Sequence, residues 1–180
     1  MFIASKNDRS VLLRRLLPND YDDLCYYFQH LQHETTRRYG PHGFDKQAVT
    51  DLYQNTDLHT GYIAVDYETS RIIAYAILKQ GYLEHDSDRL QHYGLTLNHE
   101  TDCTFAPSVA DEWQSQGIGN ALFRFILSEL KTNGIKRIIL WGGVQADNEK
   151  AVKFYLKNGF QILGQFEYHG INYDMMVTIP

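Results

Sequence analysis

The densest grouping of residues able to do chemistry is Val109-Ala110-Asp111-Glu112-Trp113-Gln114-Ser115-Gln116-Gly117-Ile118-Gly119-Asn120. The stretch leaves a strand-like run, turns, and enters a helical pattern at a pair of glycines. The first N–H groups of a helix have no intrahelical partner, and together with the helix dipole they attract an anion. Glycine lets the backbone approach a phosphate with no Cβ in the way. The first helical turn carries Arg124 and no carboxylate, whereas an ordinary first turn favours Asp or Glu. A bound anion accounts for that exception, although a tight strand-to-helix turn accounts for the glycines equally well. The spacing is not a P-loop, because no G-x-x-x-x-G-K-[ST] occurs. Nor is it the dinucleotide fingerprint, whose third glycine is missing.

Other reactive side chains are more dispersed. The two cysteines, Cys25 and Cys103, form no CxxC pair and no disulfide framework, a usage that suits a reducing compartment. Cys103 reads as a small buried strand residue rather than a nucleophile, since no histidine partner is identifiable for it. Of the eight histidines only His30 and His33 are spaced for one helix face, and no H-E-x-x-H or Cys pair supports them, so no metal is expected. Glu84, His85, Asp86, His99, Glu100 and Asp102 are read as solvated surface groups, with Asp102 on the opposite strand face from Cys103. Arg37-Arg38 beside Tyr39-Gly40-Pro41-His42-Gly43-Phe44 could clamp a carboxylate or phosphate. The acidic run Glu84-His85-Asp86-Ser87-Asp88 could instead attract a cation. Both segments read equally well as solvated loops.

These residues must be positioned by regular elements. Val11–Leu17 reads as a first strand, stopped by Pro18-Asn19-Asp20, which also offers a helix N-cap. Leu24, Tyr27, Phe28 and Leu31 recur at helical spacing between Asp20 and about His33. Gly40-Pro41-His42-Gly43 breaks the chain before a second helix, Asp45 to Tyr53. Gly61–Tyr67 and Arg71–Gln80 form a hairpin across Glu68-Thr69-Ser70. Glu84–Glu100 is polar without period and is expected to be a long connection, followed by a strand over Asp102–Val109. Ile118, Ala121, Leu122, Phe125, Ile126 and Leu130 mark one helical face, closed by Lys131 and Gly134. Lys136–Trp141 is a buried strand, and Asn148 to Asn158 a helix capped by Asp147 or Asn148 and ended by Gly159. Phe160–Phe166 and Ile171–Ile179 form a last hairpin turning near His169-Gly170. Strands and helices in this order predict a layered α/β sheet.

Length and composition agree. A chain of 180 residues, 43% hydrophobic, with 13 Tyr, 9 Phe and 2 Trp, can fill one core, so 1–180 is expected to be a single domain. The net charge of -5 argues against a nucleic-acid partner. The N-terminus breaks into charges at Lys6, Asp8 and Arg9, and no run reaches the ~18 apolar residues of a membrane span. A soluble cytoplasmic protein with no membrane partner is the expectation.

Gln114-Ser115-Gln116-Gly117-Ile118-Gly119 resembles the [QR]-x-x-G-x-[GA] motif of the GNAT superfamily of acetyl-CoA-dependent N-acetyltransferases. Asn148-Glu149-Lys150-Ala151-Val152-Lys153-Phe154-Tyr155-Leu156-Lys157-Asn158-Gly159-Phe160 resembles that family's N-x-x-A-x-x-F-Y-x-K-x-G-F stretch, at the usual separation. The likeness is specific from about Cys103 to the C-terminus and only compatible before it. It implies a mixed, mostly antiparallel central sheet flanked by helices. It also implies a pyrophosphate cradle at Gln114, Ser115, Gln116, Gly117, Ile118, Gly119 and Asn120 for acetyl-CoA, and pantetheine contacts at Val109 and Asn148. Tyr155 matches the position of a tyrosine that protonates the departing thiolate, which suits a phenol of pKa roughly 10 facing a thiol of roughly 8.5. A packing role for Tyr155 beside Ala151 and Val152 is the alternative. The family's strand glutamate falls at Cys103 here, so no general base is assigned, and its frequent proline after the strand is replaced by Asp111. The activity implied is direct acetyl transfer to a primary amine of a small molecule or peptide. A noncatalytic acyl-CoA sensor on the same fold is the alternative. The last hairpin offers Tyr168, Ile171, Tyr173, Met175 and Met176 as a surface for a homodimer.

Overall fold

The computed structural model describes residues 1–54 and 58–180. The chain is a mixed α/β fold with a mostly antiparallel sheet flanked by helices, as the motif order implied. It divides into two compact units. One comprises Met1–Leu78 and Ala106–Ser128, the other Lys79–Phe105 and Glu129–Pro180.

In the first unit, β1 (Phe2–Ala4) pairs antiparallel with β2 (Ser10–Arg15), and β2 with β3 (His59–Asp66). The alternation of β2 sends Val11 and Leu13 into the core and leaves Leu12 and Arg14 partly exposed. Residues 72–78 of β4 (Ile72–Gln80) are buried throughout, the pattern of a strand covered on both faces. The first helical stretch is shorter than its apolar spacing suggested. A 3-10 turn at Pro18–Asp20 leads into α1 (Tyr21–Gln29), and α2 is the single turn His33–Thr36. Asp20 does not cap α1 through its side chain, although its carboxylate accepts the Leu17 N–H at 2.8 Å. It also takes a two-pronged bond from Arg14, at 2.6 and 2.7 Å. Asp45 does cap α3 (Lys46–Tyr53), accepting from Ala48 N–H at 3.0 Å.

In the second unit, Glu84–Glu100 is not the bare connection expected. It holds a 3-10 turn at Glu84–Asp86 and α4 (Ser87–His92). The segment looks aperiodic because α4 is short and its one fully buried apolar residue is Leu90. β5 (Asp102–Val109) runs parallel to β6 (Arg137–Leu140) from Asp102↔Arg137 to Phe105↔Leu140. β6 also pairs with β9 (Ile171–Thr178), which carries the two-residue β7 (Val144–Gln145) and β8 (Gln161–Glu167) as further antiparallel partners. Of the residues offered for a homodimer, Met175 is fully buried, while Tyr168 and Ile171 stand exposed beside the positive-φ turn His169-Gly170.

Two long elements complete the framework. α5 (Ile118–Thr132) buries Ile118, Leu122, Phe123, Ile126 and Leu130, and α6 (Glu149–Lys157) buries Tyr155. Because α5 begins at Ile118, Arg124 falls in its second turn rather than its first. The first turn holds no acidic residue.

Candidate functional site

Successive residues of a strand turn their N–H and C=O to opposite edges. Ala110 N–H donates to Ile73 O on β4, whereas Phe105 O accepts from Trp141 N–H at the end of the β6 ladder. By alternation, Pro107 and Val109 address the edge turned away from β4. The β6 register ends at Phe105, so the N–H that Pro107 lacks leaves no ladder position unfilled. Pro107 is the signal in the sequence that marks that edge. The Val109 carbonyl already accepts from Gln114 Nε2 at 3.1 Å.

After β5 the chain makes a 3-10 turn, Asp111–Trp113, and reaches α5 through Gln114-Ser115-Gln116-Gly117. Ser115 has φ 63 and Gly117 φ 91, both in the left-handed region. A Cβ built on Gly117 would meet no atom within 4 Å, so the glycine faces open space. The Ser115 carbonyl accepts from Lys6 Nζ at 2.9 Å, and the Gln116 carbonyl from Lys6 N–H at 3.2 Å. In a planar trans peptide the C=O and the following N–H point in opposite directions. The N–H groups of Gln116 and Gly117 are therefore turned away from Lys6. The opening turn of α5, Ile118, Gly119 and Asn120, adds N–H groups that the helix itself cannot use. With no carboxylate in that turn, these residues fit a pyrophosphate.

Side chains in the loop brace it rather than reach outward. Gln114 Nε2 also approaches Asp111 Oδ1 at 3.3 Å, Gln116 Nε2 donates to Glu112 O at 2.7 Å, and the Ile118 side chain is in the core. Asp111 does more than replace a proline. Its carboxylate accepts from Gln32 N–H at 2.8 Å and from the Thr35 hydroxyl at 2.6 Å, fixing the start of α2 to the loop. Tyr27 of α1 donates to Ser108 Oγ on β5 at 3.0 Å, a buried tie beside Val109.

In the second unit, α6 carries both remaining predicted residues. Asn148 is its N-cap, accepting from Ala151 N–H at 3.2 Å, which settles the choice between Asp147 and Asn148. Tyr155 is 8% exposed, edge-on to Phe154 and Phe160 at 5.2 Å. Burial pushes its phenol well above its ordinary pKa of 10, so it holds its proton across the neutral range.

Several groups weighed from sequence are tied into the fold. Asp102 is buried and bonded to Arg137 at 2.7 and 3.0 Å, and Asp86 is buried against Arg89, so neither is a solvated surface group. Arg37 and Arg38 both bind Glu34, whose carboxyl they hold down at about 2, so these guanidinium groups are engaged within the chain. Burial, then the neighbouring Asp102 charge, raises the Cys103 thiol far above its usual range and suppresses the thiolate a nucleophile needs. Among the described residues no group of three or more His, Cys, Asp or Glu is placed to hold a metal ion, and no helix is long and apolar enough to cross a membrane.

Residues 25–160 match the family model described as acetyltransferase (GNAT) family. The fold is similar to that of the GNAT domain of S. lividans PAT, with a TM-score of 0.74 at 16% identity over 99% of this chain and 96% of that one. It is also similar to a GNAT-family acetyltransferase from Streptococcus pneumoniae, with a TM-score of 0.69, 17% identity and coverages of 94% and 99%. A spermidine N-acetyltransferase SpeG chimera from Vibrio cholerae and hSSAT superposes with a TM-score of 0.66, 19% identity and coverages of 93% and 95%. No curated protein sequence matches the chain.

Proposed function

The chain belongs to the acetyltransferase (GNAT) family, and from that premise we propose that it transfers acetyl from acetyl-CoA directly to a primary amine of a small molecule or peptide. The reading treats the chain as one catalytic domain. The observation that carries it is the loop from Gln114 to Asn120, whose two pinned carbonyls turn the Gln116 and Gly117 N–H groups toward the side where an anion can sit. The SpeG chimera is a spermidine N-acetyltransferase, so the acceptor of that protein is an amine.

When bound, acetyl-CoA supplies the acyl group as a thioester. The chain's own part begins with the cradle, where Gln116, Gly117, Ile118, Gly119 and Asn120 offer main-chain N–H groups to the pyrophosphate. Gln114 and Ser115 shape that loop through their own bonds. Val109, on the edge of β5 turned away from β4, offers main-chain groups to the pantetheine arm, as an added strand would use them. The Asn148 side-chain oxygen is committed to its cap, which leaves the amide nitrogen for that arm. Tyr155 keeps its phenolic proton at neutral pH. Its match to the family position makes it the proposed donor to the departing sulfur, provided the bound cosubstrate offsets the cost of the buried phenolate. No side chain is assigned as base for the amine.

Calorimetric titration of the purified protein with acetyl-CoA, with ATP and NAD as controls, tests the reading. Selective binding of acetyl-CoA supports it, followed by a screen of amines for turnover. A folded protein that ignores acetyl-CoA removes it.

A further inference from the structure

The residue that holds the cradle's peptides lies outside residues 25–160, the part that matches the family model. The β1–β2 turn is tightly built. Ser5 N–H donates to Arg9 O at 2.9 Å, Ser5 Oγ accepts from Asn7 and Arg9 N–H, and Asp8 takes a φ of 58. That turn presents Lys6 to the loop at two points, main chain to Gln116 O and ammonium to Ser115 O. Next to it, the Arg9 guanidinium lies 4.5 Å from the centre of the Trp113 ring and binds the buried Asp66.

The loop needs such a tie. Ser115 is a non-glycine residue at φ 63, a conformation that costs roughly 1–2 kcal/mol and relaxes if nothing holds it. Rotating the Ser115–Gln116 peptide back would carry the Gln116 N–H out of the cradle and put a carbonyl oxygen there, which repels an anion. The Lys6 ammonium opposes that rotation because its partner is the carbonyl that would have to move.

We propose that Lys6 is a positioning residue for pyrophosphate recognition, acting by fixing the Ser115–Gln116 peptide rather than by touching the phosphate. The inference rests on the acetyl-CoA reading above. It makes the affinity for the cosubstrate depend on a turn 109 residues away in sequence from the loop it organises.

The test compares wild type, Lys6→Met and Lys6→Arg in calorimetric titrations with acetyl-CoA, together with amide hydrogen exchange of the free proteins. In Lys6→Met, Kd is expected to rise about tenfold, a modest change because the main-chain bond from residue 6 remains. Exchange over residues 115–118 is expected to quicken while the rest of the exchange map and the melting temperature stay as in wild type. Lys6→Arg keeps a donor at the end of a long side chain and is expected to restore most of the affinity. Unchanged affinity in Lys6→Met overturns the inference. So does a loss accompanied by faster exchange throughout the fold, which marks a structural role, and so does an arginine variant as weak as the methionine one. A wild type that fails to bind acetyl-CoA removes the proposed function itself, and is thereby distinguished from wild-type binding that Lys6→Met leaves untouched.

Discussion

Tyr155 packs like a core residue and is proposed as a proton donor, and the two roles predict different numbers. Its ring touches Phe154 and Phe160 edge-on, and those contacts survive removal of the hydroxyl. A general acid contributes typically a hundredfold or more, so Tyr155→Phe is expected to lower kcat by about a hundredfold. The same substitution should leave the calorimetric Kd for acetyl-CoA unchanged. Equal losses in Kd and kcat would instead assign the side chain to packing. The raised phenol pKa sets its charge state, since a group that stays neutral can deliver a proton but cannot take one from the amine.

At the scale of elements, α4 is the piece that sequence periodicity missed, and one ion network pins it. Arg89 of α4 donates to both Asp174 oxygens on β9, at 2.5 and 3.1 Å, and to Asp86 at 2.7 Å. Both carboxylates are almost fully buried, and the guanidinium also covers the Phe166 ring at 3.7 Å. Removing the cation leaves two buried carboxylates without it. Arg89→Met should therefore destabilise the fold by about 3–5 kcal/mol in urea unfolding, although a methionine fills much of the volume. A loss below about 1 kcal/mol, the scale of an exposed ion pair, would mean that water reaches the site and that α4 is held by Leu90 alone. Other helices are anchored differently. Asp45 and Asn148 supply local caps, whereas α1 and α2 are fastened from afar by Ser108 and Asp111.

For the molecule as a whole, the source of pH-dependent stability that acts nearest neutrality is a chain of hydroxyls and imidazole. The depressed carboxyls of Glu34 and Asp20 act at more acid pH. His42 Nδ1 faces the Gly43 carbonyl at 2.6 Å, which can only accept, so this nitrogen carries the proton and Nε2 accepts from the Tyr75 hydroxyl at 3.0 Å. Tyr75 in turn accepts from Tyr53 at 2.5 Å. Burial lowers the His42 pKa from its ordinary 6.5, against a smaller opposing effect from the Gly43 carbonyl. A group depressed in the folded state binds its proton more readily when unfolded. Its contribution is therefore complete above pH 6.5 and is lost as pH falls through the folded value. Urea midpoints measured on either side of pH 6.5 should fall toward acid in wild type and fall less in His42→Gln, whose amide oxygen can still accept from Tyr75. Identical acid sensitivity in the two proteins would place its origin elsewhere.

By itself, the sequence determined the family, the order of strands and helices in the C-terminal half, and the glycine-rich entry to α5. These depend on neighbours a few residues apart, through helical period, an Asn148 cap, and a glycine where φ must be positive. Only the tertiary structure decided what ties down the loop over residues 114–117 and what fastens the elements around it. Lys6 to Ser115 spans 109 residues, Arg89 to Asp174 spans 85, Tyr27 to Ser108 spans 81 and Asp111 to Gln32 spans 79. No local period records such pairs. A lysine in a polar turn and an aspartate after a strand look like solvated surface until folding brings a carbonyl or an amide within 3 Å of them.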